Sequence, residues 1–131
     1  MGFDFGLKKT GVAVGQMLTK TTTPIGILKV KQGHPNWDEV SALIAKWQPS
    51  ALVVGIPVNQ DGSDMHHSEL ARKFVRQLHG RYQIEVHTID ETLSTREAYA
   101  RLEEMGHQRL GSKQVDDLSA CLILESWMAS H

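Results

Sequence analysis

Gly2-Phe3-Asp4-Phe5-Gly6 sets one carboxylate between two bulky aromatics. In an extended strand, successive side chains point to opposite faces, so Asp4 faces away from both Phe3 and Phe5. Two phenylalanines on one face mark a core, and the stretch is expected to form the first strand of an α/β domain. An ionised carboxylate beside a core is costly unless it is paired, hydrogen-bonded or bound to a metal. Further carboxylates come from two distant places: Asp90-Glu91, and Asp116-Asp117 early in an apolar C-terminal stretch.

The residues after this strand read as a turn, Gly6-Leu7-Lys8-Lys9-Thr10-Gly11, and then a second strand over Thr10 to Met17. A third strand is expected from about Thr22 to Lys31, carrying Ile25, Ile27, Leu28 and Val30. Three short consecutive strands suggest an antiparallel meander. Asn36 with Glu39 three residues on is a capping-box start. Val40, Leu43, Ile44 and Trp47 follow at i, i+3, i+4 and i+7, and Pro49 ends that helix. Ala51 to Ile56 is an uninterrupted apolar run, as in a parallel strand buried on both faces.

Pro57 to Ser63 reads as a turn-rich loop, followed by a helix with Ala71, Phe74, Val75 and Leu78 on one face. A strand over Gln83 to Asp90, a helix over about Ser94 to Met105, and a last helix from Ser112 to about Ala129 complete the chain. The order predicts a single α/β domain over residues 1–131, with a mixed five-stranded sheet, its first three strands antiparallel, and helices on both faces.

At 131 residues the chain suits one domain. No apolar run reaches the ~18 residues of a membrane helix, and no stretch reads as a signal peptide. The lone Cys121 fits a reducing compartment, so a cytoplasmic location is expected. A net charge of -1 advertises no polyanion partner. Local clusters remain: Lys8-Lys9, Lys29 with Lys31, Arg72-Lys73-Arg76, and Arg109 with Lys113, each of which a solvated surface also explains.

Asp116 recurs with Ala120, Ile123 and Trp127 at i, i+4, i+7 and i+11, the face expected to meet the sheet. If Asp4, Glu91 and Asp116 converge, their repulsion calls for a cation. Hard oxygen donors suit Mg²⁺ or Mn²⁺. Two such ions ~4 Å apart can activate water and stabilise the leaving oxygen of a phosphodiester. Spacing alone equally allows Asp4 as a hydrogen-bonding residue and Asp116 as a helix-start acid.

Several further stretches carry a family resemblance. They are Phe3-Asp4-Phe5-Gly6 with Lys8 to Ala13, Val54-Gly55-Ile56-Pro57 with Asn59 and Asp61-Gly62-Ser63, Asp90-Glu91 with Leu93-Ser94-Thr95, and Val115-Asp116 with Ser119-Ala120 and Ile123-Leu124. In this order, over nearly the whole chain, they resemble the YqgF family, also called RuvX, of pre-16S rRNA nucleases with a ribonuclease H-like, RuvC-like fold. The resemblance implies a divalent-metal-dependent hydrolase that processes the 5′ end of pre-16S rRNA in ribosome biogenesis. It assigns catalysis and metal binding to Asp4, Glu91 and Asp116, with Asp117 as second choice.

Phosphate contacts are expected from Lys8, Lys9, Thr10, Asn59, Arg96 and Lys113. The family has Arg after the Asp-Glu pair, where this chain has Thr92, and Arg96 is near enough in sequence to substitute. Relatives carry several more residues in the first strand, so a trimmed or misassigned start is expected. Structured RNA is the expected partner, with branched DNA second, and the chain is expected to be a monomer or a weak homodimer. The rival readings are a Holliday-junction resolvase and a non-catalytic nucleic-acid or transcription-associated factor on the same fold. An Asp-Phe-Gly kinase reading fails for want of a glycine-rich phosphate loop and a His-Arg-Asp stretch.

Overall fold

Alternation in the first 31 residues builds three strands: β1 (Gly2–Asp4), β2 (Lys9–Gln16) and β3 (Thr21–Lys31). They pair antiparallel, as the meander requires. The computed structural model describes residues 1–57, 67–90 and 112–129, without the side chains of 112–117. The expected helix over 94–105 lies outside the described residues. A sixth strand, β4 (His34–Pro35), joins the expected five and pairs with Val30 and Lys31. Then come α1 (Trp37–Trp47), β5 (Ala51–Ile56), α2 (Ser68–Tyr82), β6 (Glu85–Asp90) and α3 (Ser112–Ala129).

The sheet order is β4-β3-β2-β1-β5-β6, with β1, β5 and β6 mutually parallel. Helices cover both faces, as expected. On one face Phe3, Phe5, Val12, Leu52, Val54 and Ile56 join Val40 of α1 and Ala71, Phe74 and Leu78 of α2 in the main core. On the other, Val53 and Ala13 meet Ala120, Cys121, Ile123, Leu124 and Met128 of α3. The apolar run of β5 is therefore buried on both sides, which is why it shows no alternation.

Helix α1 starts as the sequence dictates: the Asn36 side chain accepts from the backbone N–H of Asp38 at 3.0 Å and of Glu39 at 3.4 Å. Gln48 closes it in the left-handed region, φ 46°, its N–H returned to the Ile44 carbonyl. Gln83 closes α2 in the same way at φ 56°, so β6 begins at Glu85 rather than at Gln83. Trp37 packs on the core, but Trp47, expected there too, is 42% exposed at the end of α1 with Lys46 over its ring.

The β2–β3 pairing shifts register between Val12 and Ala13, whose partners are Gly26 and Pro24; Ile25 is left over as a bulge. Pro24 has no N–H to give a ladder, and it sits where the ladder breaks. Among the described residues, no helix is long and apolar enough to cross a membrane.

Candidate active site

Phe3 and Phe5 are 0% and 3% exposed and pack on the Phe74 ring, with centroids at 5.4 and 5.0 Å. Each such aromatic contact is worth ~0.5–1.5 kcal/mol beyond its buried area. With both neighbours anchored in the main core, strand alternation turns Asp4 to the face that α3 covers. Asp4 is itself nearly buried, at 9% exposure.

Its lateral neighbours are both glycines. Asp4 pairs with Gly11 of β2 on one side and Gly55 of β5 on the other. In-register residues share a face, so no side chain stands beside the carboxylate along that row. The next position of the row is Ile89 of β6. The parallel strands β1, β5 and β6 thus end together at one edge of the sheet, the place where open α/β sheets build their sites.

The bottom of this edge is braced by the start of α2, where the buried Ser68 hydroxyl donates to the Pro57 carbonyl. Asp90 ends β6 opposite Ile56, one position beyond the Asp4 row. Alternation puts it on the opposite face from Asp4, and it is exposed.

α3 lies close against β1 and β2. A Cβ added at Gly2 would fall 3.1 Å from both the Ala120 carbonyl oxygen and Leu124 Cβ. At Gly15 it would fall 2.9 Å from Leu124 and 3.3 Å from Met128. Gly15 lies beyond Gly2's partner Ala13, on the side away from Asp4. Helix numbering therefore increases away from the acid, and the first turns of α3 lie toward it. Asp116 precedes Ala120 by four residues, a rise of ~6 Å. Asp4 follows Gly2 by two strand residues, ~7 Å. These displacements set position 116 of the helix backbone about level with Asp4.

Lys8 is exposed and Lys9 half-buried, and Lys9 shares the Asp4 face two residues from Gly11. Thr10 does not fit a phosphate contact. It lies inside β2, fully buried, on the face of Val12, and its hydroxyl has no hydrogen-bond partner among the described residues. Glu91, Asn59 and Arg96 lie outside the described residues, as do the side chains of Asp116 and Lys113. Among the described residues no three metal-ligating side chains converge.

Sequence reasoning gave two residues only as a local basic cluster and left them out of the phosphate contacts. Lys29 and Lys31 stand on the Asp4 face, with Lys29 directly opposite Lys9 in the β2–β3 ladder. Their spacing of two within a strand was the available signal.

The family model described as Holliday junction resolvase, RuvX, matches residues 1–130. The chain belongs to the RuvX family. It is 46% identical to a protein of Shewanella oneidensis over its whole length and 94% of that protein's, and 49% identical to one of Aeromonas salmonicida over 98% and 92%. A Legionella pneumophila relative is 43% identical over 98% and 93%. All three are named "Putative pre-16S rRNA nuclease". Among solved structures, T. thermophilus RuvC in complex with a Holliday junction substrate has a TM-score of 0.57 at 12% identity, covering 98% of this chain and 92% of that one. The fowlpox virus resolvase with its junction DNA gives 0.54 at 14%, covering 98% and 95%. The family's fold is thus the RuvC-like one that the strand order displays.

Proposed function

We propose that this RuvX-family chain is a divalent-metal-dependent nuclease that hydrolyses phosphodiester bonds of pre-16S rRNA, acting in the cytoplasm. The observation that carries the reading is Asp4: a nearly buried carboxylate at the C-terminal edge of three parallel strands, whose in-register neighbours on both sides are glycines, Gly11 and Gly55. A nearly buried carboxylate offers the hard oxygen donors that a small divalent cation takes.

Asp4, Glu91 and Asp116 would hold Mg²⁺ or Mn²⁺. Of the Asp90-Glu91 pair, β6 turns Asp90 away from the Asp4 face, which favours Glu91. The level of position 116 on α3 supports Asp116. A bound ion supplies charge stabilisation for the attacked phosphate and its leaving oxygen. The chain's own part is to fix the acids by core anchoring and to hold the nucleic-acid backbone through Lys8 and Lys9.

The test offers purified protein precursor rRNA and a four-way DNA junction with Mg²⁺, Mn²⁺ or a chelator. Metal-dependent cleavage of the RNA, lost in Asp4→Asn, is the expected result. Cleavage of the junction alone would favour the second reading, a resolvase, which the family description and the RuvC-like neighbours keep in view. Binding without cleavage by wild type, unchanged in Asp4→Asn, would overturn both.

A further inference from the structure

We propose that Lys29 and Lys31, continuing from Lys9, form a path that carries the single-stranded RNA backbone away from the reacting phosphate. The inference rests on the nuclease reading above and extends it to the substrate outside the cleaved bond. Lys8, Lys9, Ile27, Lys29, Val30 and Lys31 line one shallow groove. Lys9 and Lys29 are register partners across β2 and β3, and Lys31 follows on the same face. Gly11 and Ile27, the next row of that ladder, continue the row of Asp4. Groove and acid therefore share one face and one end of the sheet.

Strands lie ~4.8 Å apart and rise ~3.4 Å per residue. On that lattice the Cα positions of Lys9, Lys29 and Lys31 stand ~8, ~12 and ~17 Å from that of Asp4. The charges form a line leading outward rather than a ring around the acid. Like charges set directly opposite in a ladder oppose pairing. Lys29 and Lys31 are exposed, and among the described residues no carboxylate pairs with Lys8, Lys29 or Lys31. A chain whose net charge is -1 thus concentrates positive charge beside its proposed site. A regularly spaced polyanion neutralises such a line, and contacts of this kind are read without regard to base.

The test measures affinity for a single-stranded RNA as a function of salt, for wild type, K29Q/K31Q, K29R/K31R and K73Q, with cleavage of the same RNA assayed in parallel. Each phosphate contact on a single strand contributes ~0.7 to the slope of log affinity against log salt. K29Q/K31Q should lower the slope by ~1.4 and raise KM with kcat unchanged. K29R/K31R should restore the slope, and K73Q, at an exposed position of α2, should leave it alone. An unchanged slope in K29Q/K31Q overturns the path even if wild type cleaves, and so does wild type that binds no RNA. If wild type binds with the full slope, K29Q/K31Q lowers it, and nothing is cleaved, the path stands and the nuclease reading falls.

Discussion

Asp4 and Gly55 are in-register neighbours across the parallel pair of β1 and β5, so the space beside the carboxylate is set by an absent side chain. Filling that space should act on the site before it acts on the fold. Gly55→Ser is expected to lower affinity for Mg²⁺ or Mn²⁺ about tenfold or more, the scale of effects next to metal ligands. Calorimetric titration of the metal checks this. Unchanged affinity in a folded variant would remove the argument from the bare row.

Asp4→Asn keeps the shape and removes the charge. Cleavage should fall about a hundredfold or more, the several kcal/mol that an ion contributes at a reacting oxygen. In metal-free protein the same change should leave the domain folded with a melting temperature close to that of wild type, because Asn keeps the shape and much of the hydrogen-bonding capacity of the carboxylate. A variant that melts far below wild type would make Asp4 a structural residue instead.

Phe74 holds the reverse side of that design. It stacks on Phe5 and on Trp37 and meets Phe3 edge-on. Phe74→Ala should cost ~3–5 kcal/mol of stability, as large-to-small changes of buried aromatics do. Denaturant unfolding measures it, and a loss under 1 kcal/mol would mean that the cluster closes over the gap.

The ends of α1 give two changes of opposite sign. Asn36→Ala removes the side chain that accepts from Asp38 and Glu39, and should cost ~1 kcal/mol. Gln48→Gly relieves a left-handed Gln and should gain up to ~1 kcal/mol after the entropy of the freed chain is counted. Urea midpoints moving in the same direction for both variants would contradict the capping account.

The Met1 amine gives a pH dependence. It donates to the Ala51 carbonyl at 3.0 Å, and burial lowers its pKa from 8.0 to about 6. The fold favours the neutral amine, so above pH 8 nothing is lost. As pH falls from 8 to 6 the unfolded chain takes up the proton first, and stability of this 131-residue chain drops. Two pKa units bound the loss at ~2.7 kcal/mol, and the hydrogen bond to Ala51, which a charged amine strengthens, makes it smaller. NMR titration of the amine, with unfolding midpoints at both pH values, reads it; a midpoint that rises on acidification would refute it.

Most elements were legible because each repeats its period over enough residues. The i, i+3, i+4 pattern gave α1, and the apolar run gave β5 to the residue. β4 was not, because two residues cannot display alternation and Pro35 argues against a strand. Trp47 looked apolar by spacing, but it lies in the last turn of α1, past the part that the core covers. Asp4 stood out as a charge between two aromatics. Thr10 was misjudged because the strand begins at Lys9, and one step along a strand exchanges faces. The meaning of Lys29 and Lys31 depended on their register with Lys9, which the β2–β3 pairing fixes and no local pattern encodes.

That pairing owes its form to the left-over residue Ile25. Before the bulge, Thr22 reaches Glu125 of α3 at 3.2 Å; after it, Lys29 and Lys31 occupy that same face, although even numbers have given way to odd. The bulge works as a phase shifter, joining two half-strands that would otherwise be out of step. β3 is therefore a segment of fixed count. Deleting one residue near position 25 would either tear Thr22 from the helix or drive the lysines into the core, whereas polar substitutions at its exposed positions cost little.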